Sequence, residues 1–271
     1  MAEPRRGLHR PADRPTAPPE RARAEGERLS KRVAQLLGCS RSQAEHCIAG
    51  GWVRVDGRVV EEPMARISHQ QVSVDADASL TPLPEVTLLL HKPAGFDTLA
   101  APQPGQRQVR AAKALLQADT HMADDPAGTQ VHRQHLSRLS PGVALETGAS
   151  GLVVFTQDSR VLRKLTEDAA LIEHEYAVEV QGTIEAAALA RLNALRLQER
   201  LPFYKASINS TAAERTRLRL AVKGTHPGLI AYLCDQVGLH ILSIKRLRIG
   251  RVALAQLPEG QWRFLGAHER F

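Results

Sequence analysis

The chain has 271 residues, 43% of them hydrophobic and 4% aromatic, and carries a formal net charge of +7 at pH 7. This length suits one large domain, or a small domain joined to a larger one. Scarce aromatic side chains argue against base recognition by many stacked rings, whereas the positive charge favours a polyanionic partner. No apolar run reaches transmembrane length and the N-terminus has no apolar signal core, so we expect a cytoplasmic protein without membrane association.

The three cysteines, Cys39, Cys47 and Cys234, have neither paired spacing nor the spacing of a metal knuckle. A sparse, odd number of cysteines is typical of a reducing compartment. Cys39, Cys47 and His46 could supply three zinc ligands, but no fourth accompanies them. We therefore expect these side chains to pack in the core and the protein to hold no metal.

Residues 1–27 contain six arginines and five prolines but almost no large apolar residue. Such a segment buries too little surface to offset its ordering entropy, so we expect a disordered basic tail. The tail could contact an RNA backbone or be plainly solvated, and the sequence leaves both alternatives open.

The next segment predicts two short helices and a hairpin. The first helix should end at Gly38, and the second should begin after Ser40, an N-cap with Gln43 as its capping-box partner. A two-residue turn at Asp56-Gly57 then predicts the hairpin. The predicted apolar faces contain Leu29, Val33, Leu36 and Leu37 in the first helix and Ala44, Cys47 and Ile48 in the second.

This arrangement over residues 28–75 resembles the alpha-L RNA-binding motif, shared by a small-subunit ribosomal protein and many RNA-modifying enzymes. The resemblance implies that RNA phosphates contact a basic face beside a helix N-terminus, which itself attracts anions. The alternative is a solvated basic face on an ordinary helical hairpin, and the register of the glycines favours the RNA interpretation. The implied RNA-binding residues are Arg28, Lys31, Arg32, Ser40 and Arg41.

A larger domain, residues 86–271, is predicted to begin after a linker over residues 76–85. It opens with a continuous apolar run typical of a buried strand, followed by Lys92, Pro93 and Gly95. Lys92 could contact RNA phosphate, or Pro93 and Gly95 could merely shape a turn. From residue 99 to 134 the chain is polar around one predicted helix near 109–117, which we interpret as a long surface insertion over the RNA face.

Residues 143–158 combine one carboxylate, a turn of small residues and an apolar strand. Such a turn would hold Glu146 rigidly at the edge of a sheet, where a flipped-out substrate could reach it. The alternative is an ordinary acidic residue on a surface loop.

This block resembles the catalytic block of the Rsu/Rlu-type RNA pseudouridine synthases, GRLDxxTSGL followed by an apolar strand. Leu145 and Gly151 match that pattern, whereas Ala144 replaces its arginine and Glu146 replaces its catalytic aspartate. Further along, Tyr176 falls on the family's aromatic position in a half-buried strand. The resemblance implies that this ring stacks on the target base, and the alternative is a core tyrosine.

The resemblance extends through the end of the chain, where residues 244–263 follow the family's closing RxxIG, L and LPxGxWR pattern. The segment before it departs from the family, because Gly228, Ala231 and Tyr232 occupy its arginine positions. Lys223 and His226 are the remaining nearby cations. A buried carboxylate without a partner cation drifts towards its neutral form, which is neither a nucleophile nor a base.

We therefore predict an α+β protein, in which a small helix-turn-helix/hairpin alpha-L domain precedes a mixed, mainly antiparallel-sheet pseudouridine-synthase-like domain. The resemblance implies isomerisation of a specific uridine in structured, ribosomal RNA by a monomer that needs no cofactor, with Glu146 as the acid. The alternative is a catalytically inactive relative that acts as an RNA- or ribosome-binding module.

Overall fold

The structure, a computed structural model, describes residues 26–100, 110–198 and 200–271. The described residues form two compact units, which divide between Thr81 and Pro82. Most of the predicted basic tail, residues 1–25, lies outside the described residues.

Two helices form the buried centre of the first unit. The αL conformation of Gly38 ends the first helix, and Ser40 caps the second through a complete capping box with Gln43. The predicted apolar face of the first helix is wrong in its second half, because the side chains of Leu36 and Leu37 are 51% and 37% exposed. The elements are β1 (Glu27–Arg28), α1 (Leu29–Leu37), α2 (Arg41–Ala49), β2 (Val53–Val55), β3 (Arg58–Val59), β4 (Arg66–Ile67) and β5 (Val72–Val74).

The strands of the first unit form two small antiparallel sheets. β2 pairs with both β3 and β5, and the turn at Asp56-Gly57 joins β2 to β3 as predicted. β1 pairs with β4, which places Arg28 opposite Arg66. This pairing brings a strand that is distant in sequence beside the start of α1.

The second unit is built on a large mixed sheet whose main strand order is β12-β13-β11-β14-β10-β6-β16. Along that order only the β10–β14 pairing is parallel, so the predicted mainly antiparallel α+β fold is confirmed. The strands are β6 (Thr87–Lys92), β7 (Phe96–Asp97), β8 (Arg110–Ala111), β9 (Ser140–Pro141), β10 (Ser150–Thr156), β11 (Glu173–Gln181), β12 (Tyr204–Ala212), β13 (Arg215–Lys223), β14 (Ile241–Ile249), β15 (Val252–Ala253) and β16 (Trp262–Phe264).

Helices cover different parts of this sheet. The helices are α3 (Arg133–Leu136), α4 (Ser159–Thr166), α5 (Ala186–Gln198) and α6 (Leu229–Gln236). α5 and α6 pack on one face of the β11–β13 half through Leu192, Leu229 and Leu233. Apolar residues lie on both sides of the β6–β10 half, with Leu165 of α4 on one side and Trp262 and Phe264 in the cluster on the other. This arrangement leaves a cleft where the two halves meet.

The predicted helix near residues 109–117 is wrong. A short 3-10 turn over Ala112–Leu115 takes its place, and residues 101–109 lie outside the described part of the chain. The insertion is also anchored more firmly than a surface loop, since Trp262 donates its indole N–H to the Gln117 carbonyl and Asp125 accepts the N–H of Phe264. Among the described helices, none has the length and apolar character needed to span a bilayer.

Candidate active site

A cleft of about 260 Å³ opens beside the small-residue turn that precedes β10. Leu145 and Glu146 line it from the turn, Tyr176 from β11, and Ile230 and Ile244 from α6 and β14. Among its described lining residues are two acids, Asp97 and Glu146, but no lysine or arginine. Mostly apolar walls beside a carboxylate suit a flipped, uncharged base better than a phosphate group.

Backbone contacts hold the turn that carries Glu146. The Thr98 hydroxyl donates to the Leu145 carbonyl at 3.1 Å, and its oxygen accepts the Leu145 N–H at 3.2 Å. The Gly95 N–H donates to the Thr147 carbonyl at 2.7 Å, and the Ala149 N–H donates to the Glu146 carbonyl at 3.0 Å. The exposed Glu146 side chain therefore stands on a firmly held backbone.

The Glu146 carboxylate is bonded to the backbone of α6. Its Oε1 accepts the N–H of Gly228 at 2.6 Å, and Gly228 is the N-cap of α6, with a left-handed φ of 79°. A helix N-terminus favours a negative charge, and a charge-assisted bond to backbone N–H is stronger than a neutral one. Gly228, which the sequence resemblance places at an arginine position of the family, thus supplies a backbone donor to the acid.

Lys92 does not occupy the RNA-facing position suggested by the sequence. It is fully buried, and its Nζ donates to the carbonyls of Ala149 at 2.6 Å, Phe96 at 2.8 Å and Pro93 at 3.1 Å. Burial, reinforced by the nearby charge of Arg246, lowers the pKa of this amine to about 8. Lys92 therefore stabilises the turn that carries Glu146 from beneath. The predicted contact of Lys92 with RNA phosphate is wrong, because its amine is buried and bonded to backbone carbonyls.

Arg246 is the buried cation that the sequence argument did not assign to the site. Its guanidinium, with no exposed surface, donates from Nε to Leu152, from Nη1 to Ala144 and from Nη2 to Val143, at 2.7, 2.9 and 3.2 Å. Burial lowers the pKa of Arg246, and a hydrogen bond with the Tyr176 side chain opposes that shift. Its place in the closing RxxIG pattern was the sequence signal that could have identified it.

Gly151 allows Arg246 to approach so closely. A Cβ atom at position 151 would lie 2.3 Å from the Arg246 carbonyl oxygen, and the φ of Gly151 is 115°. Both the space and the backbone conformation exclude a side chain here. The glycine of the small-residue turn is therefore needed where β10 meets β14.

Tyr176 lies half-buried in β11 and lines the cleft. Its ring touches the apolar clusters on both sides of the cleft. The structure thus brings Glu146 and Tyr176 to one cavity, as a site acting on a stacked base would need.

The two cations expected near the cleft differ in position. The exposed His226 lines it, with Nε2 3.1 Å from the Lys223 carbonyl oxygen, whereas Lys223 is not among its lining residues. Thr225 also lines the cleft, and its buried hydroxyl has no hydrogen-bond partner in the described structure. That hydroxyl is available to a polar group of a bound ligand.

Residues 27–72 match the S4 domain family. Over 246 residues the chain is 26% identical to an uncharacterized RNA pseudouridine synthase of Aquifex aeolicus, covering 89% of this chain and 94% of that protein. It is also 26% identical over 255 residues to ribosomal large subunit pseudouridine synthase B of Haemophilus influenzae, covering 89% of this chain and 65% of that protein. Over most of its length the chain is thus similar in sequence to Rsu/RluB-type pseudouridine synthases.

The fold agrees with this sequence similarity. A crystal structure of a pseudouridylate synthase superposes with a TM-score of 0.50 at 20% sequence identity, covering 88% of this chain and 95% of that one. The chain therefore joins an S4 domain to a domain with the pseudouridine synthase fold.

The S4 domain carries a basic groove of about 400 Å³. Arg28, Lys31 and Arg41 line it together, while Arg32 and Ser40 lie outside it and the Ser40 hydroxyl accepts the N–H of Gln43. The side chains of Lys31 and Arg41 are exposed, and their ion pairs with Glu27 and Glu45 contribute little energy, so both charges remain available to phosphate. The groove also contains Arg66, which the sequence argument missed because it lies on β4, far from the helices.

In the described part of the chain, no group of three or more histidine, cysteine or acidic residues is arranged to hold a metal ion. Cys39, Cys47 and Cys234 are free thiols, and burial raises the pKa of Cys234 to about 11. Cys47 and Cys234 therefore behave as apolar core residues.

Proposed function

We propose that this protein isomerises a specific uridine to pseudouridine in structured RNA, with ribosomal RNA as the substrate. The observation that carries the proposal is the placement of Glu146 and Tyr176 on one apolar cleft, with the Glu146 carboxylate held at 2.6 Å by the Gly228 N–H. Ribosomal RNA is suggested by the name of the Haemophilus influenzae relative. We expect the protein to act as a cytoplasmic monomer.

In this reaction the bond between ribose C1′ and uracil N1 breaks, the base turns, and C1′ bonds to C5. The C5 proton leaves and N1 gains a proton, so atoms and charge balance. Glu146 would attack the sugar or remove its 2′ proton, and it must be ionised for either role. The Gly228 N–H donates to the Glu146 carboxylate and so sets its direction in the cleft.

The other residues have positioning roles in the proposal. The Tyr176 ring would stack on the flipped base, while the S4 groove holds phosphates of the same RNA. Arg246 would act through the backbone, because it bonds the carbonyls of Val143 and Ala144 rather than a side-chain carboxylate.

One observation favours a second function, an inactive RNA- or ribosome-binding module. The Glu146 carboxylate bonds a backbone N–H, and no lysine or arginine is found among the described residues lining its cleft. In that case the S4 groove would carry the function and the cleft would be a remnant.

A pseudouridine map of ribosomal RNA separates the two functions. RNA from cells lacking the gene should miss at least one pseudouridine, which the wild-type gene and Glu214→Ala, an exposed control, restore but Glu146→Ala does not. A complete map in the deletion strain would refute isomerisation. Retained RNA affinity in Glu146→Ala, together with that complete map, would favour the binding module.

A further inference from the structure

The half of the sheet formed by β12, β13, β11 and β14 has two different faces. One face packs on α5 and α6 through Val178, Leu218 and Leu220. The opposite face carries a groove of about 490 Å³, whose lining residues are mostly polar or charged. We call this surface the open sheet face.

Cross-strand pairing defines the residues of the open sheet face. Partners that lie directly opposite one another in neighbouring antiparallel strands share a face. Ala177 therefore faces the same way as Arg219 and Lys245, and Glu179 faces the same way as Arg217. On this face the described strands carry seven cations and three carboxylates, namely Lys205, Arg215, Arg217, Arg219, Lys223, Lys245 and Arg248 with Glu173, Glu175 and Glu179.

Around Glu175 and Glu179, the arginines of β13 stand outside the acids. The side chains of Glu175 and Glu179 are 8% and 21% exposed, whereas those of Arg217 and Arg219 are 51% and 57% exposed. Glu179 accepts from Arg217 and Glu175 accepts from Arg219 at 2.5 and 2.6 Å. The acids thus fix the guanidinium groups in place without covering them, and less side-chain entropy is lost when an anion binds.

The spacing of the cations suits a polyphosphate. Arg215, Arg217 and Arg219 alternate along β13, so their side chains follow one line at intervals of roughly 6.8 Å. Guanidinium groups match phosphate oxygens with paired donors. Lys245, in the same groove, makes no ion pair with an acid in the described structure, and Asn209 and Ser243 add neutral polar groups.

We propose that the open sheet face is a second RNA-binding surface, which holds the phosphate backbone of a folded RNA without reading its sequence. The cleft on the other face has no lysine or arginine among its described lining residues, so it does not itself neutralise the charge of an RNA backbone. The choice of RNA as ligand rests on the proposed function, but binding here does not require isomerisation.

The test uses the full chain and two double variants with equal changes in charge. Lys205→Glu with Lys245→Glu alters the open sheet face but leaves its ion pairs intact, whereas Arg191→Glu with Arg251→Glu is the control away from it. Affinity for a fluorescein-labelled RNA hairpin is measured between roughly 50 and 200 mM salt. We expect the face variant to bind about tenfold more weakly than the control and to lose roughly two units of salt dependence.

Equal affinities and equal salt slopes for the two variants would overturn the proposal. Binding of poly-glutamate is measured in parallel as a probe for an acidic protein partner. The proposal would also be overturned if the face variant lost poly-glutamate binding while its RNA affinity stayed unchanged. If the face variant melts below the control, Lys205→Gln with Lys245→Gln replaces it, with a smaller salt slope again expected. All variants are repeated with Glu146→Ala, so that failure of this surface is distinguishable from failure of the proposed catalysis.

Discussion

Replacing Glu146 by aspartate, the residue of the related catalytic block, should impair this protein rather than restore it. The change retracts the carboxylate by about 1.5 Å, the length of one carbon–carbon bond. The 2.6 Å contact with the Gly228 N–H would then open to about 4 Å, beyond hydrogen-bonding distance. The acid would lose the backbone partner that sets its direction.

The magnitude follows from the exposure of this contact. A hydrogen bond to a charged group contributes about 1.5–3 kcal/mol to stability. Because Glu146 and Gly228 are both exposed, water replaces part of this contribution, and we expect the free energy of unfolding to fall by about 1 kcal/mol or less. The melting temperature should therefore fall by only about 2–4 °C or less. Pseudouridine formation should fall by roughly a hundredfold, because misplacement by about 1 Å costs that much.

The assay is release of tritium from RNA labelled at uracil C5, using ribosomal RNA from the deletion strain. Glu146→Gln is the matched control, since it keeps the length and an oxygen acceptor but removes the charge. It should abolish tritium release with little change in melting temperature. A rise in activity in Glu146→Asp would refute the reasoning and identify the cleft as a decayed aspartate site.

Three further predictions concern the support of the cleft. The pKa of Lys92 is lowered from 10.5 to about 8 by folding, so between these pH values the unfolded chain binds a proton that the folded protein does not. The free energy of unfolding of wild type relative to Lys92→Met should therefore rise from pH 8 to 10.5 by on the order of 3 kcal/mol, as followed by denaturant unfolding. Lys164→Met, a change at an exposed lysine, is the control. A stability difference between wild type and Lys92→Met that stays constant across this pH range would refute the prediction. Gly151→Ala should destabilise the protein by about 3 kcal/mol or more, whereas Gly148→Ala should be tolerated because its Cβ would meet nothing within 4 Å. Equal melting temperatures for the two variants would contradict the close approach of Arg246 to Gly151. Tyr176→Phe should retain activity far better than Tyr176→Ala, since stacking contributes about 1–3 kcal/mol per base, and equal loss in both would count against stacking.

Local signals predicted the local structure well. The Ser40 capping box, the αL Gly38 and the Asp56-Gly57 turn each depend on residues within a few positions of one another, and all three formed as predicted. Leu36 and Leu37 show the limit of such signals. Helical periodicity identifies a common face, but only packing decides how far along the helix that face is covered.

By itself, the sequence determined the two-part α+β organisation and the small-residue turn that carries Glu146, because capping, turn chemistry and apolar periodicity act over short distances. Tertiary structure alone decided what surrounds that acid. It buried Lys92 under the turn, brought Arg246 to the carbonyls of Val143 and Ala144, and set the Gly228 N–H against a carboxylate 82 positions away. Each of these partners depends on strand order and helix placement, which local patterns do not specify.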